Sequence, residues 1–188
     1  MTDKVIVGLD SWIIQDGNYA NFASGGRAAF ALEFYAPTAL IEAADTRRPS
    51  LRHLDKCCYE VEGQIIHVRA DWWVIDFGFL AFREETPPST ARLGNWVKGL
   101  VHLGVDPFFY FERLASTPKA PALIYDWIVE AIEIRTAPFV LEGRTWQRDL
   151  KKDGWKEVAY TNARSDDGGN AEYLLRCKRL DRAPRHRR

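Results

Sequence analysis

Several carboxylates stand where their chemistry could be altered: Asp10, Glu33, Asp71, Asp76, Asp106, Asp126 and Glu130. Asp76 sits in the apolar run Trp73-Val74-Ile75-Asp76-Phe77, and Asp126 in Ile124-Tyr125-Asp126-Trp127. A carboxylate withdrawn from water keeps its proton to higher pH, which suits acid–base work. The opposing reading puts these groups on the wet face of half-buried strands, or against arginines. The histidines, His53, His67, His102 and His186, show no metal-ligand spacing, and Cys-x-x-Cys is absent, so no metal site is expected. His67 and His102 fall in mid-strand and read as structural. The acidic stretch 166–172 lacks the spacing of a calcium loop and reads as a turn. No phosphate-binding glycine loop, dinucleotide fingerprint or nucleophile elbow is present, and no cofactor is expected. Cys57, Cys58 and Cys177 read as free thiols of a reducing, cytoplasmic setting, because adjacent cysteines rarely reach disulfide geometry.

The aromatic residues pose a sharper question. The chain has seven Trp, seven Tyr and ten Phe. Side chains alternate across a strand, so neither the run Phe108-Phe109-Tyr110-Phe111 nor the pair Trp72-Trp73 can face one side only. Either both faces are covered, as at a junction between two barrels, or one face is an exposed platform. An aromatic platform beside arginines stacks bases or receives a partner protein. The candidate contacts are Trp72, Trp73, Phe109, Arg83 and Arg113. The function expected is therefore a non-enzymatic binding module for a polymer or partner protein. The partner would be an unknown protein or a single-stranded nucleic acid. The alternatives are a small enzyme using desolvated carboxylates such as Asp76 and Asp126 in a barrel pocket, and a structural subunit that self-associates into a homo-oligomer.

Composition bounds these readings. Of 188 residues, 46% are hydrophobic, too many for a disordered chain. The 26 basic and 26 acidic residues cancel, which argues against a protein that coats nucleic acid by bulk charge. From residue 176 onward, however, Arg176, Lys178, Arg179, Arg182, Arg185, Arg187 and Arg188 face only Asp181, so the remaining body is acidic. The basic end, 183–188, reads as a frayed, solvated tail that could also fold back on that body. No apolar stretch approaches a membrane span, so no membrane partner is expected. Residues 1–4 lead into a strand-like run rather than a signal-peptide core.

The elements that must position these residues are mostly strands. Residues 4–15, 27–35, 59–69, 72–76, 79–83, 95–103, 108–114 and 123–135 read as strands from their Val, Ile and aromatic content or their alternation. In 27–35, Ala28, Phe30, Leu32 and Phe34 would share one face. Residues 38–45 suggest a short helix capped by Thr38. Residues 155–161 and 171–180 suggest a hairpin around the loop 165–170, and Gly104 reads as a turn.

Two segments align: Val61 to Val68 followed by Asp71-Trp72-Trp73, and Val97 to Leu103 followed by Asp106-Pro107-Phe108. Each reads as strand, interior glycine, strand, Asp-containing turn and aromatic strand. The first carries one inserted residue, which suggests a bulge. Interior glycines and bulges are what a sheet needs to coil shut. The pattern resembles the first hairpin of OB-fold barrels. The fold class expected is mainly β, with one or two OB-like barrels packed together and little helix. The proline-rich stretch 84–90 is the natural boundary. It divides a barrel-like half at 1–86 from a second at 91–182, with the basic tail at 183–188.

Overall fold

The computed structural model describes residues 3–43, 48–180 and 183–186. The protein is mainly β. The first strand, β1 (Lys4–Asp10), runs straight into a single helical turn, α1 (Ser11–Gln15). A bent pair follows, β2 (Arg27–Phe30) and β3 (Leu32–Tyr35), joined through Ala31. As their alternation predicts, Phe30, Leu32 and Phe34 all point into the main core, with Ala28 against it. Next come β4 (Ile41–Glu42), β5 (Ser50–Asp55), β6 (Cys58–Val68), β7 (Trp73–Asp76), β8 (Leu80–Arg83) and β9 (Trp96–Val105). A helical turn, α2 (Phe109–Glu112), precedes β10 (Tyr125–Arg135). The hairpin β11 (Phe139–Glu142) and β12 (Thr145–Arg148) forms its own two-stranded sheet, and β13 (Trp155–Val158) and β14 (Glu172–Arg179) complete the large one.

Five strands close a barrel in the order β9-β3-β8-β7-β6 and back to β9. Only β3 and β8 in this ring are parallel. The glycine and the bulge expected for closure are both in β6. A Cβ on Gly63 would lie 2.6 Å from the Asp76 carbonyl oxygen and 2.7 Å from Ile75 Cγ2, so only glycine lets β7 pass this close. The register shifts between Ile65 and His67, leaving Ile66 as the extra residue. The two aligned segments are neighbours within this one barrel, with Val61 opposite Gly99 and Gly63 opposite Val97. The stretch 84–90 connects β8 and β9, two strands of the same ring.

A second circuit shares strands with the first. It runs β9-β1-β14-β10-β2, and β2 leads back through Ala31 to β3. The bent β2–β3 strand pairs with β10 before Ala31 and with β8 after it. One side of β9 likewise pairs with β6 through His102 and with β1 at Gly104. The circuits thus meet along two seams, and a tyrosine hydroxyl bridges each. Tyr59 accepts from the Ile6 N–H at 2.6 Å and donates to its carbonyl at 3.2 Å. Tyr125 accepts from Leu80 N–H at 2.8 Å. These phenols occupy the places where a neighbouring strand would otherwise satisfy the backbone. One continuous core, from Val7 and Trp127 to Trp73 and Ile75, fills both circuits.

Several expected elements differ. Residues 108–114 are not a strand: Phe108 adopts a left-handed backbone (φ 76°), and α2 and a short 3-10 turn follow. The buried Asp106 carboxylate accepts from Tyr110 N–H at 3.2 Å, which holds this turn against the sheet. The helix expected at 38–45 is not formed over 38–43, and 44–45 lie outside the described residues. There Ile41 and Glu42 pair with β9 instead, since an isolated helical turn is costly to nucleate. Strands β13 and β14 do not form a hairpin; they flank β10 on opposite sides. Gly104 is no turn but an interior residue of β9. Of the tail expected at 183–188, the segment 183–186 is docked rather than frayed, and 187–188 lie outside the described residues. Arg185 pairs with Ile124 through the backbone and grips Asp126 at 2.8 and 3.2 Å.

A candidate binding cleft at the barrel seam

The five residues expected to form an aromatic platform do not share a face. Trp73 points into the main core, and Trp72 into a smaller one with Val74, Phe82, Tyr110 and Leu114, roofed by α2. Both indoles are at most 2% exposed, so neither can stack on a ligand. Phe109 is half-buried beneath Arg113, whose guanidinium lies 5.0 Å from its ring centroid and is held by Glu84 at 2.7 Å. Arg83 stacks on Tyr35 at 4.9 Å and pairs with Glu85. The aromatic runs are covered because the chain turns helical after Asp106 and closes the second face. The carboxylates expected to work in a pocket are engaged elsewhere. Asp126 is held by Arg185, and Asp76 accepts from Gly78 N–H at 2.8 Å across a turn.

A different site lies at the seam where β9 changes partner. β1 and β9 touch through the single parallel pair Gly8–Gly104 and then diverge. The tip of the β5–β6 hairpin, with Lys56 in a left-handed conformation (φ 49°), closes one end of the resulting cleft. Its volume is about 520 Å³, within the range of small-ligand sites. The floor is bare. A Cβ on Gly104 would meet only the Gly8 carbonyl oxygen, at 3.6 Å, and one on Gly8 only Cys57 Sγ at 3.5 Å and Leu103 O at 3.7 Å. Packing therefore does not force glycine at either position. Their absent side chains leave the cleft open.

Strand alternation sets the walls. Asp10, on the Gly8 face of β1, is followed by Trp12 at the start of α1. Glu33 and Tyr35 stand beside Gly104 and His102 on β3. Trp12 is 44% and Tyr35 51% exposed, so both rings present apolar surface to the opening. The far wall is a fixed ionic lattice. Arg135 bonds Asp153 at 2.7 Å and Glu172 at 2.8 Å; Arg148 bonds Glu172 at 3.0 Å and also Asp167; Lys56 bonds Asp153 at 3.1 Å. The lattice ties the hairpin tip to β10, and its cations are already engaged.

The remaining carboxylates of the cleft are perturbed. Burial pushes Glu33 up to about 7, with Glu84 and Glu85 adding repulsion and Arg83 opposing it. Asp10 is also raised, first by burial and then by Glu172, while a hydrogen bond from the Trp12 side chain works the other way. Asp106, behind the Glu33 wall, is raised to about 7, mainly by burial. Burial likewise pushes the Cys57 thiol up, leaving little thiolate at neutral pH. His102 packs edge-on against Tyr35 at 6.3 Å, and among the described residues no cluster of three ligands could hold a metal.

Asp10 and Glu33 were visible in the sequence as carboxylates among apolar neighbours. Trp12 and Tyr35 were not distinguishable from core aromatics, since their exposure follows from α1 and from the end of β3. Half of the glycine floor had a weak signal: Gly8 is interior to the strand-like run 4–15, whereas Gly104 reads from sequence as a turn beyond 95–103. Among the described residues, no helix is long and apolar enough to cross a membrane. The chain matches no protein-family model, no curated protein and no solved structure.

Proposed function

We propose that the protein is a non-enzymatic binding module that holds an extended segment of a polymer or partner protein in the seam cleft. The observation that carries this is the facing pair Gly8–Gly104. Two bare positions lie side by side where neither is required by packing, under two exposed aromatic rings. A ligand segment laid over the glycines would contact backbone below and the Trp12 and Tyr35 rings at the sides, which is how shallow sites gain apolar contact. The acidic rim and the engaged cations favour a partner protein over nucleic acid, whose phosphates need free Lys or Arg.

Gly104→Leu fills the floor with little strain and provides the test. Trp emission is followed while single-stranded oligonucleotides, oligosaccharides and peptides are added in turn. The expected result is one class that shifts the emission of the natural chain and not that of Gly104→Leu. A ligand bound equally by both overturns the assignment of the cleft.

Glu33 favours a second reading, a small acid–base enzyme, because a carboxyl near 7 is matched to proton transfer at neutral pH. It would show as a turnover whose pH profile bends near 7 and loses that bend in Glu33→Gln.

A further inference from the structure

We infer that the cleft takes an alkyl chain bearing two cationic nitrogens, one received by Asp10 and the other by Glu33, with its stem over Gly8 and Gly104. This rests on the cleft being the binding site and names the chemistry of what enters it.

The geometry sets the spacing. Glu33 is opposite Gly104, which is opposite Gly8, so two strand steps separate β3 from β1. Asp10 lies two residues beyond Gly8. With strands ~4.8 Å apart and a rise of ~3.3 Å per residue, the two Cα atoms are ~12 Å apart. The glycines between them leave a smooth apolar path, flanked by Trp12 and Tyr35. These rings suit methylene groups and also attract a cation over their faces.

The charges set the sign. Among the described residues, neither Asp10 nor Glu33 is in a salt bridge. Glu33 faces Glu84 and Glu85 after β8 and Asp106 after β9; Arg83 is its nearby cation, and that guanidinium is committed to Glu85 and Tyr35. Asp10 faces Glu172 of β14, with Arg148 of β12 already bonded to Glu172 and Asp167. Asp55, Lys56, His102, Arg135, the thiols of Cys57 and Cys58 and the phenols of Tyr35 and Tyr173 complete the titratable lining, and both Lys56 and Arg135 are bound to Asp153. Both ends of the path thus carry carboxyls that a cation would relieve of repulsion. A neutral or anionic ligand would leave the half-buried Glu33 and the more exposed Asp10 against their like-charged neighbours.

The test is calorimetric titration of the full chain with three probes: spermidine, whose two terminal ammonium groups supply the paired cations, a peptide carrying two lysines, and uncharged 1,8-octanediol. Both cationic probes are expected to bind. Glu33→Gln and Asp10→Asn should each weaken them about tenfold, the scale of one charge-assisted hydrogen bond. Affinity should fall from pH 8 to pH 6 as Glu33 takes up its proton, and should fall with added salt. Tighter binding of the peptide assigns the nitrogens to lysines of a partner protein; tighter binding of spermidine assigns them to a free polyamine. Octanediol binding as well as spermidine, cationic binding indifferent to both carboxylate variants, or no binding of either cationic probe would overturn the inference. The cleft assignment fails separately, through binding of any probe that Gly104→Leu leaves intact.

Discussion

Replacing Glu33 with Gln removes one charge at nearly constant shape, and its effect on stability should reverse the usual pH trend of a carboxylate. In the fold Glu33 titrates near 7, against 4.5 for an ordinary glutamate. Below pH 4.5 both folded and unfolded chains hold the proton and the residue is neutral to stability. Between 4.5 and 7 the unfolded chain releases its proton while the folded chain keeps it, so unfolding is increasingly favoured as pH rises. Above 7 the cost is complete. At 1.36 kcal/mol per pH unit the interval is worth about 3 kcal/mol, and screening of the repulsion from Glu84 and Glu85 trims this to about 2. Urea unfolding at pH 4.5 and pH 8 measures it. Glu33→Gln should match the natural chain at the lower pH and exceed it by about 2 kcal/mol at the higher one. Equal stabilities at both values, or a variant less stable at pH 8, would show that Glu33 is stabilised as the anion and that the cleft wall is not desolvated.

Other positions carry equally direct expectations. Tyr59→Phe strands the Ile6 N–H and carbonyl that its hydroxyl serves; the cost should be about 2 kcal/mol, or roughly 4–8 °C in the melting temperature. Gly63→Ala forces a Cβ against the Asp76 carbonyl and should cost about 2–3 kcal/mol, whereas Gly104→Ala meets nothing closer than 3.6 Å and should cost under about 1; parallel denaturation curves compare them. Arg185→Ala breaks a half-exposed pair with Asp126 and should lower global stability by no more than about 1 kcal/mol, while tryptic cleavage after residue 180 becomes markedly faster.

The barrel was legible because its devices are local. Alternation in 27–35 names the core face, and an interior glycine with an extra residue in 61–68 names the closing strand. The partnering of β9 was not legible. A strand that serves β6 along most of its length and β1 at one glycine carries no periodic mark of that change. The aromatic runs misled for a related reason. Phe108 to Phe111 has strand composition, but the buried Asp106 carboxylate sits where it can hold a helical turn, and that tertiary contact outweighs propensity. The cleft inherits both difficulties. Its carboxylates were visible, but its floor consists of side chains that are absent, and its aromatic rim depends on where two short elements end.

The pairing of β1 with β14 sets a timetable for synthesis. β1 leaves the ribosome before the other strands, yet its full-length partner begins at Glu172, more than 160 residues after Asp10. At about 5–20 residues per second the wait is roughly 8–30 s. During it β1 can hold only the single β9 contact and the Tyr59 hydroxyl, and its open edge is available to other nascent chains. A circular permutant that joins the β14 end to the β1 start and opens the chain within 84–90 would make the two strands neighbours in sequence. Asp3 and Arg179 are already linked by a 2.7 Å backbone hydrogen bond, so the splice would be short. Such a chain would place its longest delay in the five-stranded barrel instead, shifting the aggregation-sensitive interval from β1 to the unpaired edge of β9.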